Sequence, residues 1–524
     1  MKKLVCSLAI LASAVAFAAK EKVATVQIDN MTGLAKSCTK LGELLGNPMA
    51  SSMVSGGLAN NPAAEYFGPM RADAGVSVVV GLYLDADRLG CTNKADDVMS
   101  CTLVYPVIGG KARFLKQHKD AKEQDGVIMV DDDEFTAFSA DGKWATNAET
   151  AELAKAALAD IETAQKKMDG DAVRVRVNKK GLNALAKVLD KVAKEENSAG
   201  WLKPFVESVR SATAAVGAVK VSDLGLDFNG SLKAASDSVL AKFGKGSLGA
   251  DPLKFAAKDA VYARAIAPGG TLRSNLTVDA QMKLVFKLVK DLGVDVDKFL
   301  SYAVKGDDLR IVGDVKSAID YFKGAETNGL KAAFEKKAGD KDFMDRLTAE
   351  YSEAMDKNTV FEPCTRALNL SFAVKGYAGA ASLAERYAAT LPEAAAKKPF
   401  DCAFLSYLSI VNAAIPGVIE SLDEEQRAMA QPLLAQLPKE GKGGVASALW
   451  REGDTFKGLC RISADELKGI GAAVNVGMSF AMMNAMKGAA ARASAAANAL
   501  DDDDDDDDED DDADDDDDDA DDED

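Results

Sequence analysis

Residues 501–524 are the first constraint on the chain, because no packed fold can include them. They hold 22 acidic residues, interrupted only by Ala513 and Ala520. Their charges repel along the backbone, and no apolar group offsets the cost of ordering it. The segment is expected to be a disordered poly-Asp tail, so folding is left to what precedes it. Taking its acids from the chain's 83 leaves 61, equal to the 61 Lys and Arg that remain once Lys2 and Lys3 go with an N-terminal leader. The body is therefore electrically balanced although the whole chain carries a formal charge of −20. That balance gives no global basic field for nucleic acid. With 47% hydrophobic residues, the body can bury a sizeable core.

Residues 1–18 read as a secretory signal: Lys2 and Lys3, an apolar stretch from Leu4 to Val15, then the small-x-small site Ala16-Phe17-Ala18. The mature protein is expected to be exported, periplasmic or extracellular, with no membrane span once the signal is removed. Six cysteines follow the leader: Cys38, Cys91, Cys101, Cys364, Cys402 and Cys460. An even count in an oxidising compartment predicts disulfides. Cys91 and Cys101 are the expected local pair, since each borders a strand-like run (Val76–Leu84 and Thr102–Val107) and a bridge would close the loop between them. The pairing of Cys38, Cys364, Cys402 and Cys460 stays open.

Strand and helix patterns are mixed. Val173 to Val177 alternates apolar and charged residues, and Leu368, Leu370, Phe372 and Val374 do the same against polar or small neighbours. Hairpins are expected around Asp141-Gly142 and Asn229-Gly230, whose residues tolerate the positive φ of tight turns. Two more are expected across Arg451–Asp454 and Pro268-Gly269-Gly270. Leu182, Leu185, Val188 and Leu189 recur at helical spacing, as do Met282, Val285, Phe286 and Val289. An α+β fold with helices packed on antiparallel or mixed sheets follows. The organisation expected is a signal at 1–18, α+β domains at 19–245 and 246–488, an Ala-rich connector at 489–500 and the tail at 501–524. The two domains open alike, with a strand and then a helix, and could be related halves.

The early strand and helix, the hairpin at Phe135–Trp144 before a long helix, and the late strand pair before a terminal helix form a layout. It resembles that of large exported proteins of unknown function from planctomycete- and verrucomicrobia-like bacteria. The resemblance spans most of residues 20–490 and implies no activity and no site residues.

Motifs for catalysis fail one by one. The single histidine, His118, argues against a Ser-His-Asp triad and leaves no multi-histidine metal site. Gly109-Gly110-Lys111-Ala112 lacks the spacing and the hydroxyl of a phosphate-binding loop, and Ser37-Cys38-Thr39-Lys40 has S-x-x-K spacing without companion motifs. Asp131-Asp132-Asp133-Glu134 reads as a solvated acidic turn, and Arg174 with Arg176 as a solvated basic sheet face. Beyond Ala464, a helix is expected with Ile470, Val474, Met478, Met482 and Met486 along one side and Gly469, Ala473, Gly477, Ala481 and Ala485 beside them. Small residues permit close helix approach and methionines adapt to irregular partners, so packing on the body or self-association is expected.

The expected function is that of an exported, non-enzymatic binding or structural protein. Its tail, represented by Asp501, Asp502, Asp503, Asp504, Asp505, Asp506, Asp507 and Asp508, would bind divalent cations such as calcium weakly and diffusely, or a basic partner. In composition alone it is similar to the aspartate-rich tails of calcium-storage proteins such as calsequestrin. The alternative expected is a periplasmic carrier holding a hydrophobic ligand between sheet and helices.

Overall fold

The computed structural model describes residues 21–501, apart from 30, 47–76, 85–98, 108, 132–133, 196–198, 250, 306–307, 324, 326, 328, 375–380, 393–397, 422–423, 436 and 439–442. The leader, Cys91 and Asp502–Asp524 lie outside the described residues. Contacts gather residues 1–472 into one compact unit and 473–524 into a second. The domain boundary expected near residue 245 falls within the first unit.

That unit is α+β, built on a 17-stranded sheet. Its N-terminal strands are β1 (Glu21–Ile28), β2 (Val78–Leu84), β3 (Met99–Pro106), β4 (Lys122–Gln124), β5 (Val127–Asp131), β6 (Glu134–Phe138), β7 (Trp144–Ala148), β8 (Asp171–Val177), β9 (Ala212–Ser222) and β10 (Gly225–Ala234). The second group is β11 (Ala260–Ile266), β12 (Leu272–Ser274), β13 (Leu300–Lys305), β14 (Asp308–Asp314), β15 (Thr359–Pro363), β16 (Leu368–Ala373), β17 (Asp401–Leu405), β18 (Val445–Glu452) and β19 (Thr455–Ser463). β12 and β15 form a separate two-stranded sheet.

The two groups meet where β10 pairs antiparallel with β19, Asn229 facing Leu459. Outward from that junction one side runs β10-β9-β8-β1-β2-β3-β7-β6-β5-β4. The other runs β19-β18-β17-β11-β16-β14-β13. The inner four strands of each side follow one path. β1 and β8 correspond to β11 and β17; each second strand leads through two helices (179–195 and 199–211; 407–421 and 424–434) to a hairpin, β9-β10 or β18-β19. Matching backbone bonds pin the matching corners. Asn178 N–H donates to Val23 O (3.2 Å) as Ser406 N–H does to Val261 O (2.8 Å), and Asp29 N–H to Ala172 O (3.0 Å) as Ala267 N–H does to Phe400 O (2.7 Å). The outer strands diverge: β2 and β3 are antiparallel, β14 and β16 parallel.

The Asp141-Gly142 hairpin forms as expected between β6 and β7, with Gly142 at φ 66° and Asp141 Oδ1 accepting from Ser139 Oγ (2.6 Å) and Lys143 N–H (3.1 Å). Asn229-Gly230 is not a turn. It lies mid-strand in β10, and the chain reverses at Asp223-Leu224 instead. Gly225 then takes φ 133°, where a Cβ would meet Ile462 O at 2.0 Å, so the tight requirement for glycine sits there. Across Pro268-Gly269-Gly270 both strands exist, but β12 pairs with β15 rather than β11. Arg174 and Arg176 are half buried rather than fully solvated. Arg174 forks onto Asp171 Oδ2 (2.9 and 2.6 Å) and reaches Met168 O (3.0 Å), while Arg176 donates to Gln27 Oε1 (3.0 Å).

Candidate functional site

The acidic segment is reached through the helix Ala464–Asp501, which begins directly after β19. Ser463 Oγ accepts from Glu466 N–H (3.3 Å), and Asp465 and Glu466 suit the positive N-terminal end of the helix dipole. Close approach follows: a Cβ on Gly469 would lie 2.9 Å from Leu408 Cδ1, and one on Gly471 would lie 1.9 Å from Leu45 O. In the second compact unit, the same helix leaves Val474 (53%), Met478 (48%), Met482 (67%) and Met486 (65%) exposed. Ile470 of the expected stripe is half buried, and Ala481 lacks a described side chain.

Asp501 closes this 38-residue helix, and Asp502–Asp508 lie beyond the described residues. A helix C-terminus carries partial negative charge, so the run of carboxylates starts at a pole that itself attracts cations. Among the described residues, no group of three or more His, Cys, Asp or Glu is placed to hold a metal ion. Among the described residues, no helix is long and apolar enough to cross a membrane.

Two places in the body resemble a ligand site. One is an open cleft of about 310 Å³ lined by Asp297, Lys298, Phe299, Leu300, Val312 and Asp314. Two of its acids are engaged: Asp314 accepts from Lys316 N–H (3.0 Å) and Ser317 Oγ (3.0 Å), and Asp297 pairs with Lys290. The other is on the sheet face covered, on its N-terminal side, by the helices 179–211, whose Leu182, Ala186, Val206 and Val209 pack on Val26, Val80 and Val177. The register puts Gly217, Gly230 and Gly458 in one row across β9, β10 and β19 on this face. A Cβ on Gly217 would have nothing within 4 Å, and one on Gly230 only Val216 O at 3.9 Å. Phe228 (43% exposed) and Leu449 (42%) border the row.

Buried polar groups form clusters inside the fold. Arg386 donates to Ser406 Oγ (2.7 Å) and Gly443 O (2.8 Å) and lies 5.3 Å over the Phe404 ring. Ser406 meets Ser409 (2.7 Å), and Glu466 Oε1 accepts from Leu408 N–H (2.8 Å). Among the described residues, Arg386 Nε and Glu466 Oε2 meet no hydrogen-bond partner. Burial raises the Glu466 pKa above the ordinary carboxylate range, against the pull of Leu408 N–H and Arg386. Arg461 forks onto Asp227 (2.6 and 2.8 Å) and reaches Thr390 O (3.0 Å). These contacts tie helices to strands. The sequence carried a signal for one of them, since Ser463-Ala464-Asp465-Glu466 has the S-x-x-E spacing of a helix start.

The thiols are quiet. Burial pushes Cys402 up to about 12 and raises Cys38 and Cys460, which keeps them protonated and poorly nucleophilic. Cys38, Cys364, Cys402 and Cys460 are free. Cys402 faces Ala448, and Cys460 faces Ser447, so the register turns these two thiols to opposite faces of the sheet. Cys101 lies in β3 opposite Leu82, and the Cys91 end of the expected bridge is outside the described residues.

Comparison of the chain with protein families, curated proteins and solved structures finds no match.

Proposed function

We propose that this is an exported binding or structural protein whose folded body carries an acidic segment that collects divalent cations, or basic partners, weakly. The observation that carries the reading is the division of charge: 22 acidic residues stand in the last 24 positions, while the rest is balanced. Such a segment offers oxygen ligands without a fixed cage, which favours calcium uptake of low affinity and poor selectivity. Calorimetry tests it. The full chain should take up calcium at about 10⁻⁴–10⁻³ M, more weakly as sodium chloride rises. A chain ending at Leu500 should lose most of that uptake. Retention of the full calcium stoichiometry by the truncated chain would place binding in the body. Export also predicts a Cys91–Cys101 bridge, which peptide mapping of the secreted, unreduced protein would detect.

A second reading, a carrier of a hydrophobic ligand, is favoured by the uncovered Gly217 and Gly230 of the glycine row beside Phe228, with Leu449 lying over Gly458. Filling that row with Gly230→Leu should abolish binding of an apolar dye if the reading is right. Unchanged dye binding would remove it.

A further inference from the structure

We infer that the exposed methionine face of the C-terminal helix docks a basic amphipathic helix of a partner protein, which the acidic segment draws in. The inference rests on the reading of that segment as a collector of basic partners and adds a second, apolar contact beside it. Val474, Met478, Met482 and Met486 repeat every fourth residue, so they line one side of about three helical turns, roughly 18 Å long. All four are between 48% and 67% exposed. Methionine is unbranched and polarizable, and a row of it adapts to apolar side chains of varied shape. A helix presenting apolar residues at matching spacing would bury this stripe.

Charge selects the occupant. The helix passes in sequence into 22 carboxylates at its C-terminal end. A second copy packed parallel would bring another such run beside the first, and an antiparallel copy would leave both runs unmatched. An anionic lipid surface would be repelled. A helix with Lys or Arg on its polar face satisfies both features: its apolar side covers the methionines and its cations replace counterions along the acidic run.

The experiment uses the full chain and two labelled peptides of equal charge and of about 18 residues, one of Leu and Lys patterned as an amphipathic helix, the other of Ser and Lys. Fluorescence anisotropy should show both binding in low salt. In about 0.5 M sodium chloride the Ser/Lys peptide should be released while the Leu/Lys peptide is retained. The variant Met478→Ser, Met482→Ser, Met486→Ser should weaken the Leu/Lys peptide by about tenfold or more and leave the Ser/Lys peptide unchanged. All three side chains are exposed, and circular dichroism checks that the variant keeps its helix content. Equal behaviour of the two peptides, or an unaffected variant, would overturn this inference while leaving the acidic segment's role intact. Failure of the Ser/Lys peptide to bind even in low salt would instead overturn the reading on which it rests. Sedimentation that shows the peptide-free chain doubling its mass, with the doubling lost in the variant, would assign the face to a second copy and overturn the inference as well.

Discussion

One cross-strand row runs through both halves of the sheet and changes character at their junction. It passes Gln27, Arg174, Ala218 and Asn229, then Leu459, Ala448, Cys402 and Ala265. The paths of the halves match, so Gln27 stands where Ala265 does, Arg174 where Cys402 does, and in the next row Arg176 where Phe404 does. In the C-terminal half this face is apolar: Ala263, Ala265, Cys402, Phe404, Ala446 and Ala448 pack under Leu383 and Tyr387 of the helix Leu383–Thr390 and under Leu391, which caps it. In the N-terminal half the covering helix Ile161–Ala164 packs Ala164 on Val79 and Val104 and is held by hydrogen bonds as well. Gln27, fully buried, donates to Thr163 O (3.0 Å) and Lys166 O (2.8 Å), which are carbonyls at the helix's C-terminal end, and to Ser77 Oγ (2.7 Å). Two means of fixing a helix thus serve one backbone. The apolar one gains by area removed from water; the polar one gives Lys166 O a donor and Thr163 O a second donor beside Lys166 N–H (3.1 Å).

The largest effect should come from the apolar side. Phe404→Ala removes a fully buried ring and should destabilise by about 3–5 kcal/mol in urea titration. Arg176→Ala, at the matching place, should cost no more than about 1–1.5 kcal/mol, because that side chain is half exposed and makes one hydrogen bond. Equal losses would erase the distinction between the halves. Next comes Gln27→Leu, which keeps the volume but removes the Gln27 amide donor from Lys166 O, Thr163 O and Ser77 Oγ, leaving Thr163 O its bond from Lys166 N–H. A loss of about 1–3 kcal/mol is expected, whereas no loss would mean the helix is held by packing alone.

A smaller effect with a defined sign belongs to Glu466. Its folded pKa is raised, so the folded state holds the proton more tightly than the unfolded chain does. Stability from this group is present at acidic pH and falls as pH climbs from the ordinary carboxylate range through the raised value. Glu466→Gln keeps an acceptor for Leu408 N–H without a buried charge. The variant should therefore melt higher than the natural chain at neutral pH, with the advantage shrinking toward pH 4. An advantage that grows on acidification would reverse the argument. Smallest of all, removal of Asp501–Asp524 should leave the melting temperature of the body unchanged, since such a segment supplies few native contacts.

Local patterns made part of this legible. Alternation located β8 and β16, and Asp141-Gly142 marked a turn because strand-like residues end on both sides of it. Asn229-Gly230 carried the same local signal, yet β10 continues through it to pair with β19, where Gly230 meets Gly458 through a pairing distant in sequence. Alternating arginines look solvated from sequence, and only the register shows Gln27 beside them. Gln27 and Arg386 were invisible, and Glu466 showed only as a helix start, for a common reason: burial of a polar group is set by the elements that cover it. The acidic run was legible throughout, since its chemistry is its composition.

The junction of β10 with β19 also sets an order of events. Asp227 and Arg461, which lock it, are 234 residues apart in the chain. When β10 is made its outer edge and Phe228 have no strand to meet, and they wait through the synthesis of the entire second half. An open edge beside an exposed aromatic ring is a template for pairing with another chain. Closing contacts of such sequence separation is also slow. The dangerous interval in the life of this molecule is therefore the time between its tenth strand and its nineteenth, and a holding chaperone would have its greatest effect there.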